Sequence, residues 1–423
     1  MKHTIPVDQL GLAGQVMADA VEKCVHCGFC LAACPTYRVL QEEMDSPRGR
    51  IVLMKSVLEE EVALEDAVPY IDRCLGCQAC VPACPSGVPY GDLLSAFQGH
   101  IEPQRDRPVA DRMVRNLALG TLPYPGRFRW AARAGAVARP VKNLLPGKLS
   151  VLLDLLPESL PDVERFPEVI PAQGVQRGRV ALLTGCVQQV LAPEINAATV
   201  RVLSINGVEV LIPQEQGCCG ALAWHNGDHR QARKLASHNL ESFPQEVDAI
   251  LVTAAGCGSG MKDYPQFFYG MAELNQAESF ANKVMDVSEY LDKLGIREVP
   301  PLKTSLSIAY QDACHLAHAQ GVTAAPRSLL GQIPNLTILP IPEADMCCGS
   351  AGTYNLEQPE IARQLGLRKA NNIDSTKPEA VVSGNIGCIV QIRTYLAHQD
   401  KPIPVLHTMQ IIDCAYREVD PIG

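Results

Sequence analysis

The sequence predicts an α+β chain of several domains: a mostly helical, cysteine-rich head, then a duplicated α/β unit with largely parallel sheets. Three observations predict it. Eight of the 17 cysteines fall between Cys24 and Cys84 in two runs of identical spacing, and the next is Cys186. The later cysteines repeat. Cys186, Cys218-Cys219-Gly220 and Cys257 recur as Cys314, Cys347-Cys348-Gly349 and Cys388, at offsets of 128, 129 and 131 residues. Within each copy, short apolar runs alternate with helical patterns, as in parallel sheets.

Four segments follow: a head (1–100), a Pro-rich basic helical connector (101–178), and two copies of the repeat (179–305 and 306–423). A chain of 423 residues has ample material for several cores. Its formal charge of −9 argues against general nucleic-acid affinity. No apolar run is long enough to span a bilayer, and residues 1–22 lack the apolar core of a signal peptide. A cytoplasmic location is expected, with peripheral contact on the cytoplasmic face of the inner membrane left open. Clustered cysteines in such a chain point to metal rather than disulfides.

The head carries Cys24-x2-Cys27-x2-Cys30-x3-Cys34-Pro35 and Cys74-x2-Cys77-x2-Cys80-x3-Cys84-Pro85. This is the spacing of two-cluster ferredoxins, in which the fourth cysteine of each run ligates the other cluster. Three closely spaced thiolates wrap one face of a cubane while the proline turns the chain away. The expectation is therefore Cys24, Cys27, Cys30 and Cys84 for one [4Fe–4S] cluster, and Cys74, Cys77, Cys80 and Cys34 for the other. Structural zinc prefers two C-x2-C pairs and fits this doubled register less well. His26 either covers or tunes a cluster. Arg48 and Arg50, ahead of an apolar helical stretch, either stabilise cluster charge or pair with Glu42, Glu43 or Asp45. The long insert between the runs favours helices.

The connector holds ten prolines between Pro103 and Pro171. Residues 101–150 carry ten Lys/Arg against three Asp/Glu, interleaved with Phe128, Trp130, Val137, Val141, Leu144 and Leu145. Two readings stand: a solvated helical layer, or a docking face for an acidic partner or anionic membrane. Replacing Arg127, Arg129 and Arg133 tests the second.

In the body, Val180–Thr184, Val208–Ile212 and Ala249–Thr253 read as strands, with helices over Pro193–Ile205 and His229–Ser242. The second copy matches at Ser307–Tyr310, Leu336–Leu339 and Ala380–Ser383. The repeated cysteines follow strand C-termini, where open α/β sheets bind ligands. Each copy gathers four: Cys186, Cys218, Cys219 and Cys257, then Cys314, Cys347, Cys348 and Cys388. They either hold a further iron–sulfur or zinc centre, one per copy or one shared, or are buried thiols. His315 either completes such a site or packs. Cys414 reads as a core thiol. Neither G-x-G-x-x-G nor a Walker motif occurs, so no flavin is expected on this chain, and a hydride step needs another polypeptide.

These motifs together resemble the CCG-domain electron-transfer proteins. That group includes the heterodisulfide reductase type, the third subunit of anaerobic glycerol-3-phosphate dehydrogenase and lactate-utilisation proteins. Cys24-Val-His-Cys-Gly-Phe-Cys, Ala33-Cys-Pro-Thr-Tyr, Asp45-Ser-Pro-Arg-Gly-Arg-Ile, Cys347-Cys-Gly-Ser-Ala-Gly-Thr-Tyr and Gly384-Asn-Ile-Gly-Cys388 resemble the glycolate oxidase iron–sulfur subunit family. The resemblance spans about Glu22 to Cys388. It implies an FAD-binding catalytic subunit and a second FAD-domain subunit as partners. Glycolate becomes glyoxylate on the flavin, and electrons pass through this subunit towards a membrane acceptor, with no catalytic residue on this chain. D-lactate or another 2-hydroxy acid is the alternative substrate. A heterodisulfide reductase-like activity is the alternative function, but the sequence departs from that pattern. The closing C-x-x-C is absent, because Gly258-Ser259-Gly260 follows Cys257 and Ile389-Val390-Gln391 follows Cys388.

Overall fold

The computed structural model describes residues 1–140, 152–157, 159–397 and 402–422. Val141, Leu144 and Leu145 of the connector lie outside the described residues.

The head is helical throughout. Its main helices are Leu12–Glu22, Pro47–Leu58, Leu64–Asp72 and Tyr90–Ile101. Ser46 starts the second of these: its hydroxyl accepts from the Gly49 N–H at 3.0 Å, and Pro47 fills the first turn. Gly49 is required there, since a Cβ would meet the Glu43 carbonyl at 2.1 Å. Met17, Val21, Leu93 and Phe97 bury the packing of the first helix on the last.

The connector contributes helices Val109–Thr121 and Pro125–Ala138. Its positive charge is divided. Arg105 pairs with Asp72, Arg107 with Glu102, and buried Arg115 with Glu102 and Glu357. Arg105 thus ties the connector to the head and Arg115 ties it to the body, while the Arg107–Glu102 pair lies within the connector. Arg129, grouped with Arg127 and Arg133 from sequence, turns inward and donates to the Pro161 carbonyl at 2.6 Å. Arg112, Arg127 and Arg133 remain exposed, beside exposed Met113, Trp130 and Val137.

The body contains two sheets. The first comprises β1 (Val169–Ile170), β2 (Gly178–Leu182), β3 (Val208–Leu211), β4 (Ala249–Val252) and β5 (Val284–Asp286), in the order β1-β3-β2-β4-β5. All pairs are parallel except the edge pair β1–β3. The second comprises β6 (Leu306–Gln311), β7 (Leu336–Leu339), β8 (Ala380–Ser383) and β9 (Val405–Leu406), ordered β7-β6-β8-β9 and wholly parallel. The duplication is thus visible strand for strand: β2 matches β6, β3 matches β7, β4 matches β8 and β5 matches β9. Three strands per copy show in the sequence pattern. The others, β1, β5 and β9, do not, because two or three residues are too short to show a period.

The two sheets share one core. Helix Pro193–Ile205 packs on Thr408–Tyr416, and Val287–Leu294 packs on Ala324–Gly331. Val180, Leu182 and Leu251 from one sheet join Ile308, Tyr310 and Val382 from the other in a single buried cluster. This shared layer fixes the copies face to face. No described helix is long and apolar enough to cross a membrane.

Candidate cluster and interdomain sites

In the head, two small cavities each take in one predicted quartet. Cys24, Cys27, Cys30 and Cys84 line the first, of about 30 Å³. Cys34, Cys74, Cys77 and Cys80 line the second, of about 20 Å³. Cys80 and Tyr90 wall both, so the cavities are neighbours. The chain wraps each by a matched pair of left-handed residues: His26 (φ 54°) and Gly28 (φ 84°) in the first run, Gly76 (φ 60°) and Gln78 (φ 58°) in the second. Left-handed turns at these places let the chain curl back within three residues.

Arg50 stands beside the second cavity and is fully buried. Its guanidinium donates to the Tyr70 carbonyl at 2.8 Å, to Thr36 Oγ1 at 3.0 Å and to Asp45 at 3.1 Å, and lies 3.8 Å from Cys34 Sγ. Of the roles expected of Arg50, the pairing with Asp45 is present, and the same guanidinium lies beside a candidate ligand. Burial pushes the Cys77 and Cys80 thiols of the same quartet up. Arg48 pairs with Glu43 at 2.8 Å and donates to the His26 carbonyl at 3.1 Å, bracing the first run.

In the body, all eight repeated cysteines line one cavity of about 350 Å³ between the two copies, roofed by the connector. The strand order places it: each sheet reverses beside its central strand, and crevices form at such points. Cys186 follows β2 and Cys257 follows β4, the two sides of that reversal. Within each copy the four sulfurs form a chain. Cys186 Sγ lies 3.3 Å from Cys218 Sγ. Hydrogen bonds from Cys218 and Cys257 hold Cys219 well below the usual thiol range, and those from Cys347 and Cys388 do the same for Cys348. The glycine after each pair is left-handed (Gly220 φ 80°, Gly349 φ 86°). A Cβ there would meet the Ala232 carbonyl at 3.0 Å or the Ala362 carbonyl at 2.8 Å. This is why Cys-Cys is followed by Gly. Among the described residues, no group of three or more His, Cys, Asp or Glu side chains is drawn tightly enough to hold a single metal ion. The quartets enclose space rather than a point.

The head and body sites adjoin. Cys74 lines both its head cavity and the body cavity. Cys77 packs in one buried cluster with Cys314 and Cys347. Tyr354 Oη donates to the Arg73 carbonyl at 3.0 Å across the joint. His315 Nδ1 lies 3.5 Å from Cys314 Sγ. His225, which sequence reasoning did not single out, also lines the cavity, and its ring centroid is 5.6 Å from that of His315. The only sequence signal for it was its register: offset by 129, it matches Tyr354 of the second copy. Cys414 lies apart, half-buried on the last helix.

Comparison with known proteins sorts these parts. Residues 20–88 match the family model of a 4Fe-4S dicluster domain, and residues 180–262 and 308–393 that of a cysteine-rich domain, CCG. The glycolate oxidase iron–sulfur subunit of Escherichia coli K12 is 36% identical over 409 residues, which is 94% of this chain and 95% of that one. A probable glycolate oxidase iron–sulfur subunit of Bacillus subtilis 168 is 34% identical, covering 88% of each. Lactate utilization protein A of an Exiguobacterium strain is 31% identical over 55% of this chain and 96% of its own. A solved structure of a hypothetical Helicobacter pylori protein covers 87% of this chain and 77% of its own at 10% identity and a TM-score of 0.40, too loose to carry an argument.

Proposed function

The chain belongs to the family of glycolate oxidase iron–sulfur subunits, and from that premise we propose that it is the electron-transfer subunit of a flavin-dependent glycolate dehydrogenase. It binds iron–sulfur clusters of the 4Fe-4S dicluster type. The observation that carries the reading is the adjacency of sites: two quartets in the head, and Cys74 shared with a cavity taking in eight further cysteines.

In this reading Cys24, Cys27, Cys30 and Cys84 hold one cluster, and Cys34, Cys74, Cys77 and Cys80 the other. The two body quartets hold the further centre or centres. Bound clusters supply one-electron steps, which suits dividing the pair of electrons a flavin releases. The chain's own residues do the rest. Arg50 balances thiolate charge, Arg48 braces the first run, and the shared body core holds the second head site against the body cavity. Glycolate oxidation itself falls to an FAD-binding partner, with a second FAD-domain subunit completing the complex. Electrons leave towards a membrane acceptor.

The test is copurification. A tagged chain, purified anaerobically from its own cell, should bring flavoprotein with it, and glycolate should bleach the visible cluster absorbance of that complex. The isolated chain should not oxidise glycolate with an artificial dye. Dye reduction by the isolated chain would place the substrate site here and sink the proposal.

A further inference from the structure

The body cavity has three properties that the cysteines do not use. The first is size. Each head quartet rings a cavity of about 30 or 20 Å³, whereas the body cavity measures about 350 Å³. The body cavity is several times the two head cavities together and is on the scale of pockets for small organic molecules, roughly 300–1,000 Å³. The second is lining. Leu122, Phe128, Leu156, Leu191, Ile386 and Val390 contribute an apolar wall, part of it from the connector. The third is unspent hydrogen bonding. His225 comes from one copy and His315 from the other. The Nε2 atom of each is buried without a hydrogen-bond partner among the described residues, and both rings line the cavity. A buried polar atom left unpaired is costly, and a ligand is one way to satisfy it.

We propose that this cavity binds an electron acceptor of the quinone class, its ring against the apolar wall and its carbonyl oxygens hydrogen-bonded by His225 and His315. The inference rests on the reading of the chain as an electron-transfer subunit and names where that transfer ends. The chemistry balances. Glycolate gives up two electrons and two protons in becoming glyoxylate. The quinone takes two electrons and two protons, one proton on each carbonyl oxygen, in becoming the hydroquinone. The apolar wall suits the ring of a quinone, and the polar side of the cavity, with Arg105, Arg107 and Arg115, is why a small disulfide is tested beside it.

Binding is measurable without turnover. Menadione, titrated calorimetrically into the anaerobically purified complex with no glycolate present, should saturate at one molecule per chain. His225→Phe removes a donor and should weaken binding by roughly tenfold. Val390→Trp fills the apolar side and should abolish it. Dithionite-reduced wild-type complex should be reoxidised by menadione, and the Val390→Trp complex should not. Cluster EPR signals report that each variant is folded, and if His225→Phe loses them the Val390→Trp pair decides. The proposal is overturned by the absence of saturable binding, by wild-type binding in a folded Val390→Trp complex, or by oxidised glutathione binding in menadione's place. Failure of glycolate to reduce the clusters is a separate result: it would strike the proposed function and leave the binding measurement standing.

Discussion

In the head, three cysteines of each quartet lie within seven residues of chain and the fourth comes from the other run. In the body, each quartet is gathered across more than 70 residues by the ends of strands. The head sites are small, and their shape is set by local left-handed turns. The body site is an order of magnitude larger, and its shape is set by how two sheets share a core. Local construction suits a fixed cluster that only exchanges electrons. Construction across an interface leaves room for something that must enter and leave.

The largest effect should come from the head's buried charge. Among the described residues, Arg50→Met leaves buried Asp45 with its contact to the partly exposed Arg73, at 2.8 Å, as its remaining ion pair. Breaking a buried pair costs up to about 3–5 kcal/mol, less what the Arg73 contact retains. Thermal unfolding should show that loss, and iron analysis should show depletion at the Cys34 quartet. An unchanged melting temperature would mean that head geometry does not depend on this charge.

A smaller effect should separate body from head. Gly349→Ala forces a left-handed alanine whose Cβ meets the Ala362 carbonyl. Strain of this kind costs roughly 1–3 kcal/mol. The body should lose stability while head EPR signals persist. Simultaneous loss of both would show that the two regions fold as one unit and would erase the contrast drawn between them.

The joint between them carries a pH signature. Burial, with Asp92 nearby, pushes the Asp263 carboxyl up to about 7. The folded chain then holds this proton more tightly than the unfolded chain. Stability from this group is present at low pH and is lost as pH rises from about 4 through about 7. Asp263→Asn should therefore raise the melting temperature at pH 8 and leave it nearly unchanged at pH 4. An equal gain at both values would remove burial of charge as the cause.

Much of the fold is legible in the sequence, and the reasons are physical. The head's cysteine spacing is local, so the cysteines that line its two cavities are those of the two runs. The strands β2, β3, β4, β6 and β8 are mostly buried runs, β7 is a half-buried one, and helices Pro193–Ile205 and His229–Ser242 begin and end where the sequence places them. The three shortest strands are not legible. Neither is the meeting of both body quartets in one cavity, because that depends on packing between helices Pro193–Ile205 and Thr408–Tyr416, some 200 residues apart. His225 is hidden for the same reason. Arg129 is misgrouped by sequence because charge composition does not reveal which way a side chain turns.

The smallest effect concerns that connector. Arg127→Gln with Arg133→Gln should leave stability unchanged and weaken association with partner or anionic vesicle by less than about 1 kcal/mol, most visibly at low salt. Arg129→Gln should instead cost stability, since its guanidinium reaches the Pro161 carbonyl. The reverse pattern, measured by melting and sedimentation, would overturn the division of the connector's charge.

The central claim is that this chain receives electrons from a glycolate-oxidising flavin through two clusters in the head. EPR of the anaerobically purified complex, recorded before and after glycolate with spins counted per chain, tests it most directly. Glycolate should generate reduced-cluster signals, and Cys84→Ser and Cys34→Ser should each remove a different one. Clusters that dithionite reduces but glycolate leaves oxidised, in a complex with its flavin present, would contradict it.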